Sequence, residues 1–201
     1  MQNFCYIIGD EESKEAAVVD CGWETKKLID AAEKEKLKIS KIILTHSHYD
    51  HTQKAIELSE KTKAGAYFHK SDFEEIKKNF PKSNKFFVNE GDEIKVGQIK
   101  IKVIHTPGHT PGAICLLFEN KLITGDTLFV NAIGRTDLAG GDPIKLFSSL
   151  QKLKKLSDDT KVYPGHDYGD TAFSTIGNEK KSNSYFKCEH LEQFLSLLGL
   201  F

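Results

Sequence analysis

Residues 45–52 read THSHYDHT and place His46, His48, Asp50 and His51 within six positions, straight after the apolar run KIILT. A chain with eight histidines that gathers three of them at the exit of one strand is under a chemical constraint as well as a packing one. Histidines two apart on an extended turn can aim both rings at one point, while the aspartate and histidine that follow can aim at a second point nearby. Zinc and its neighbours accept imidazole nitrogen and carboxylate oxygen, and a catalytic ion keeps one position open for water or substrate. Four donors are too few for two ions, so the remaining ones must come from the ends of other strands.

Three candidates stand where such donors are needed. TPGHTPG centres on His109, LITGDT ends a strand on Asp126, and VYPGHD ends another on His166, each directly after a glycine. Glycine lets the backbone turn tightly and pass close to a neighbouring group, which holds the following side chain in a fixed direction. A single histidine or aspartate in a turn is more often structural than functional, and it is the joint pattern that carries the reading. His69, His105 and His190 take the blander assignment of capping, supporting or surface residues.

The chain around these turns alternates strand and helix. FCYIIG and AAVVD flank a polar turn and predict a hairpin, and WETKKLIDAAEKEKLK has the spacing of an amphipathic helix, with Trp23 as packing at its start. QKAIELSEKT predicts a helix, AGAYFH a strand, and SDFE at 71–74 a capping box opening another helix. DEIKV, QIKIKVIH, AICLLFE, KLITGD and TKVYPG predict strands. Asp142 and Pro143 predict an N-cap and first turn for IKLFSSLQKLKK, and STIGNEKK and CEHLEQFLSLL two further helices. No repeat or linker divides the chain, so residues 1–201 are expected to form one α/β domain.

Composition narrows the classes. A net charge of -1 offers no basic field for nucleic acid or anionic membrane. Four scattered cysteines without a C-x-x-C pair, and no long apolar stretch or basic leader, predict a cytoplasmic protein with free thiols.

The order H-x-H-x-D-H, T-P-G-H-T, G-D-T-L-F and P-G-H, along nearly the whole chain, resembles the metallo-β-lactamase-fold superfamily. The resemblance implies an α/β (α+β) four-layer αββα sandwich with a metal site at one edge of the two sheets. It also implies His46, His48 and His109 on a first ion, Asp50, His51 and His166 on a second, and Asp126 bridging, with Asp50 and Asp126 as the catalytic carboxylates. Asp20, at the end of AAVVD, matches a superfamily aspartate that steadies a ligand histidine, and it also suits a plain turn. The implied cofactor is two divalent ions, zinc or else iron or manganese.

The loop TLFVNAIGRTDLAGGDP resembles two branches of that superfamily: glyoxalase II, which hydrolyses hydroxyacyl-glutathione thioesters, and the persulfide dioxygenases, which use one Fe(II) and O2. Both carry a Gly-Arg, matched by Gly134 and Arg135, whose planar donor fork would suit a substrate carboxylate or an ordinary surface ion pair. Ile133 stands where both branches commonly have cysteine. Thr136 and Asp137 follow the dioxygenases, whereas LAGGDP follows short stand-alone hydrolases. Tyr168 falls where it would face a thiol-bearing substrate. About 35 residues follow His166, so the separate C-terminal helical domain with which glyoxalase II grips glutathione is expected to be missing. The expectation is a metallo-hydrolase of thioester-type small molecules derived from a thiol. The alternatives are a mononuclear Fe(II) persulfide dioxygenase built on His46, His109 and Asp126, and, more remotely, a non-catalytic metal-binding protein. The apolar end LEQFLSLLGLF would serve as a packing or homodimer face.

Overall fold

The structure, a computed structural model, describes residues 2–77 and 84–200. Its first sheet contains β1 (Tyr6–Gly9), β2 (Glu15–Val19), β3 (Lys38–Ile43), β4 (Gly65–His69) and β5 (Lys85–Val88), side by side in that order. β1 and β2 form the expected antiparallel hairpin, with Tyr6 opposite Val19, and the pairs from β2 to β5 are parallel. Parallel neighbours need crossovers. They are supplied by α1 (Thr25–Lys34) and by α2 (Tyr49–Thr52) with α3 (Ala55–Thr62), while α4 (Phe73–Ile76) follows β4.

The second half contributes β6 (Glu93–Val96), β7 (Ile99–His105), β8 (Ile114–Phe118), β9 (Lys121–Gly125), β12 (Lys161–Pro164) and β13 (Ser174–Thr175), joined in the order β13-β12-β9-β8-β7-β6. A small hairpin of β10 (Leu128–Phe129) and β11 (Ala132–Ile133) lies between β9 and α5 (Pro143–Leu153). β9 and β12 are parallel, and α5 is their crossover. α6 (Ile176–Ser182), α7 (Ser184–Lys187) and α8 (Leu191–Leu197) close the chain.

Alternation along the strands sorts the apolar side chains into three layers. Val18 and Ile42 point one way, onto Leu28 and Ala32 of α1 and Leu58 of α3. Their neighbours Ala17, Val19 and Ile43 point the other way, onto Val103, Ile114, Leu116 and Ile123 of the second sheet. On the far face of that sheet Ile104, Cys115 and Leu122 meet Leu146, Leu150 and Leu153 of α5, with Ile176, Phe186 and Phe194 of the C-terminal helices. Strand side chains alternate between faces, so a sheet covered on both sides must be apolar at consecutive positions, as KIIL and AAVV are. Three apolar layers between four layers of structure make the αββα sandwich. Each large aliphatic side chain so buried contributes roughly 1.5–3 kcal/mol.

Several expectations are refined. Asp142 caps α5 as read, accepting from the Ile144 and Lys145 amides at 3.0 Å each, with Pro143 in the first turn. SDFE is no capping box. His69 accepts from the Ser71 amide at 3.2 Å and caps a 3-10 turn over Lys70–Asp72, while Asp72 turns inward to bond Thr110 and Gly112. Trp23 is half-exposed, its indole N–H donating to the Asn3 carbonyl at 2.9 Å rather than filling a core. β5 escapes sequence reading because Phe86 and Phe87 are both exposed and show no alternation. Among the described residues no helix is long and apolar enough to cross a membrane.

Candidate metal centre

Each predicted donor sits where a strand stops. β3 runs out at Ile43 and Leu44–Thr45 carries the chain to His46; His109 lies in the β7–β8 loop; Asp126 follows β9; His166 follows β12. The Ile114 amide donates to the Thr45 carbonyl at 2.8 Å, which ties the exit of β3 to the second sheet and brings donors from both sheets to one edge.

The donors form two groups. The ligand atoms of His46, His48 and His109 lie within 4.8 Å of one another, and so do those of Asp50, His51 and His166. In the first, His48 Nδ1 is 2.9 Å from His109 Nε2; in the second, His51 Nε2 is 3.1 Å from His166 Nε2, with Asp50 Oδ2 at 3.6 and 3.5 Å from those two nitrogens. Asp126 stands between the groups. Its Oδ2 is 3.5 Å from His109 Nε2 and 3.2 Å from His166 Nε2, and its Oδ1 is 3.4 Å from His51 Nε2. Gly134 and Gly165 permit this placement, since a Cβ at Gly134 would collide with the Asp126 carbonyl and one at Gly165 with its carboxylate.

A ring of convergent, buried nitrogens is an uncomfortable arrangement unless a cation belongs there. His46 Nε2 and Asp126 Oδ1 are buried without a hydrogen-bond partner among the described residues, and a buried polar atom left unmatched costs about 1–3 kcal/mol. Imidazole and carboxylate donors in this number fit a divalent ion of the zinc, iron or manganese type. Burial, reinforced by neighbouring rings, holds His46 well below the ordinary imidazole range, and burial lowers His48 too, so both offer neutral rings as ligands must. His51 goes the other way: burial lowers it, but the Asp20 carboxylate and its hydrogen bond, with Asp126 and Asp50, outweigh burial and raise it to about 9. Burial works to raise the Asp126 carboxyl, but the His166 hydrogen bond and adjacent imidazoles bring it below its usual value.

The outer nitrogens are held as well. Asp20, buried and in a left-handed conformation with φ 55°, accepts from the Thr45 amide and hydroxyl at 2.8 Å each and lies 2.9 Å from His51 Nδ1. Its oxygens are thus occupied, although it also falls within a third potential donor group with His46 and His51. His109 Nδ1 donates to the Arg135 carbonyl at 2.8 Å. The Arg135 side chain is exposed and grips Asp137, with Nε–Oδ1 2.7 Å and Nη2–Oδ2 2.6 Å. Tyr168, 56% exposed, stacks on His166 with ring centroids 4.6 Å apart and planes at 4°. A cleft of about 660 Å3 reaches His48 past Tyr49, Asp72, Pro111 and Leu138.

Sequence reading missed two side chains that touch this site. Asn3 Nδ2 donates to Asp50 Oδ2 at 2.7 Å. Asp72 accepts from the Thr110 hydroxyl at 2.7 Å and the Gly112 amide at 2.6 Å, anchoring the loop directly after His109. Asn3 gave no signal beyond being a polar residue ahead of a strand, and Asp72 lay inside a motif read as a helix start. His69 and His105 stack on each other at 3.9 Å outside the two donor groups.

Two three-donor groups that share a buried carboxylate, at the edge of an αββα sandwich, define a protein equipped to hold divalent metal. Residues 1–166 match the Metallo-beta-lactamase superfamily, and the chain belongs to that superfamily, a family of metal-dependent hydrolases. It is 34% identical to a probable polyketide biosynthesis zinc-dependent hydrolase, BaeB, of Bacillus velezensis, over 96% of this chain and 86% of that protein. It is 33% identical to the hydroxyacylglutathione hydrolase GloC of Haemophilus influenzae, over 92% of each. Among solved structures, ETHE1 from Myxococcus xanthus superposes with a TM-score of 0.88 and 32% identity, covering 98% of this chain and 85% of that one.

Proposed function

We propose that the protein is a metal-dependent thioester hydrolase acting on small hydroxyacyl-thiol substrates. The observation that carries this reading is the position of Asp126 between two complete three-donor groups. His46, His48 and His109 would hold one divalent ion, Asp50, His51 and His166 the other, and Asp126 would reach both. Ions so placed supply Lewis acidity, which brings a water towards ionisation near neutral pH and polarises a carbonyl.

The chain's own residues supply the rest. Asp20 and the Arg135 carbonyl fix the outer nitrogens of His51 and His109, leaving the inner nitrogen of each to face the ions. Tyr168 packs on the His166 ring, extends towards solvent and gives the substrate an aromatic wall. A thiolate suits this chemistry as a leaving group because it departs without strong protonation, its conjugate thiol having a pKa of about 8.5. The similarity to GloC, a hydroxyacylglutathione hydrolase, and to BaeB, a probable zinc-dependent hydrolase, supports the same class. The Asp137 clamp on Arg135 engages the fork that would otherwise receive a substrate carboxylate, so binding an anionic thiol through Arg135 requires that clamp to open.

A second reading rests on Thr136 and Asp137 after Arg135: a mononuclear Fe(II) persulfide dioxygenase using His46, His109 and Asp126. One pair of assays separates the two. Protein loaded with zinc is offered hydroxyacyl thioesters and free thiol is followed; protein loaded anaerobically with Fe(II) is offered glutathione persulfide and O2 uptake is followed. Thiol release without uptake supports the hydrolase, and uptake without thiol release overturns it in favour of the dioxygenase.

A further inference from the structure

The segment before β1 crosses the second donor group. The Phe4 amide donates to the Gly165 carbonyl and the Asp167 amide to the Gln2 carbonyl, both at 2.8 Å, so residues 2–4 pair across His166 as a short bridge. Trp23 Nε1 holds the Asn3 carbonyl at 2.9 Å. The backbone at Asn3 is therefore fixed by contacts that do not involve its side chain.

That side chain points at Asp50. Nδ2 donates to Asp50 Oδ2 at 2.7 Å, lies 3.3 Å from the Asp50 carbonyl oxygen, and is 3.4 Å from His51 Nε2. Oδ2 is also the oxygen that faces His51 and His166. A carboxylate oxygen has room for two partners, one donor and one ion. Asp50 is the only carboxylate exclusive to this group, it belongs to the four-residue helix α2, and that helix has no side-chain cap. Nothing else among the described residues donates a side-chain hydrogen bond to it at such a distance.

We infer that Asn3 is a positioning residue for the second metal site, turning Asp50 Oδ2 towards the ion held with His51 and His166. The inference rests on the two-ion reading above. Groups that orient a ligand typically change metal affinity ten- to a hundredfold when removed. Asn3→Ala deletes the donor, and Asn3→Leu deletes it while keeping the branched shape; neither removes a backbone group that bonds residues 2–4.

The test is a titration of the metal-free full chain with zinc against a competing chromophoric chelator, reading the two binding steps separately. The expected result is that both variants weaken the second step ten- to a hundredfold and leave the first within about twofold. Two equal steps unchanged from the unsubstituted protein, or both steps weakened together, would overturn the role of Asn3 while leaving two ions in place. A single ion bound by the unsubstituted protein, unaffected by His166→Ala, would overturn the two-ion reading and the inference with it.

Discussion

At the scale of residues, the seven candidate donors were legible because chemistry and local backbone agree: four crowd one strand exit and three follow glycines. What surrounds them was not. Asn3 and Asp72 act across 47 and 38 positions, and the group that steadies His109 is the carbonyl of Arg135, which carries no side-chain identity to read. Asp126→Ala removes the carboxylate that stands between the two groups, and thiol release should fall at least about a hundredfold with metal content reduced, as elemental analysis would register. His51 gives a pH prediction. With its pKa raised to about 9, the ring is protonated in the metal-free protein at neutral pH and must lose that proton to become a ligand. Affinity for the second ion should therefore rise with pH until about 9, and calorimetry in buffers of different ionisation enthalpy should report proton release below it. Removing the Asp20 charge by Asp20→Asn should shift that rise to lower pH, since its carboxylate is the main force raising the ring.

At the scale of elements, patterns with a local mechanism were readable, and those imposed from outside were not. The β1–β2 hairpin and α5 follow from turn and cap chemistry within their own residues. β10, β11 and α7 are four residues or fewer and exist because neighbours hold them. Two aspartates near helix starts make the contrast testable. Asp142→Ala should cost about 1 kcal/mol in denaturant unfolding and leave zinc affinity unchanged, as a lost cap does. Asp72→Ala leaves the Gly112 amide unpaired in a buried place, so it should cost about 1–3 kcal/mol and also weaken binding of the first ion. Asp72→Asn should be milder in both measurements, because an amide oxygen still accepts from Gly112 and the Thr110 hydroxyl can rotate to accept from the amide nitrogen.

At the scale of the whole molecule, the α/β alternation was legible from the apolar runs and the four-layer arrangement only through the resemblance that the order of the motifs carries; the pairing of β9 with β12 through α5 was not legible, because parallel pairing is set by crossover geometry. Metal removal is the test at this scale. An ion present at about a thousand times its Kd adds roughly 4 kcal/mol to the folded state, and a chain of this length shifts in Tm by about 2–4 °C per kcal/mol. Chelation should then lower Tm by roughly 8–16 °C, read by calorimetry, and Asp126→Ala should abolish most of the difference.

Because His46, His48, Asp50 and His51 leave the first sheet while His109, Asp126 and His166 leave the second, any bound ion is a cross-link between the two halves of the sandwich. The halves are otherwise joined by the apolar layer between the sheets and by a few hydrogen bonds, such as those from the Ile114 amide to Thr45 and from the Gly97 amide to Glu15. The ions would add fixed points at one rim only, making that rim the hinge and leaving the opposite edge free to open. Motion in the loaded protein would then be a fanning of the sheets away from the site, so that slow amide exchange spreads inward from the metal rim and the far ends of β1 and β9 exchange first.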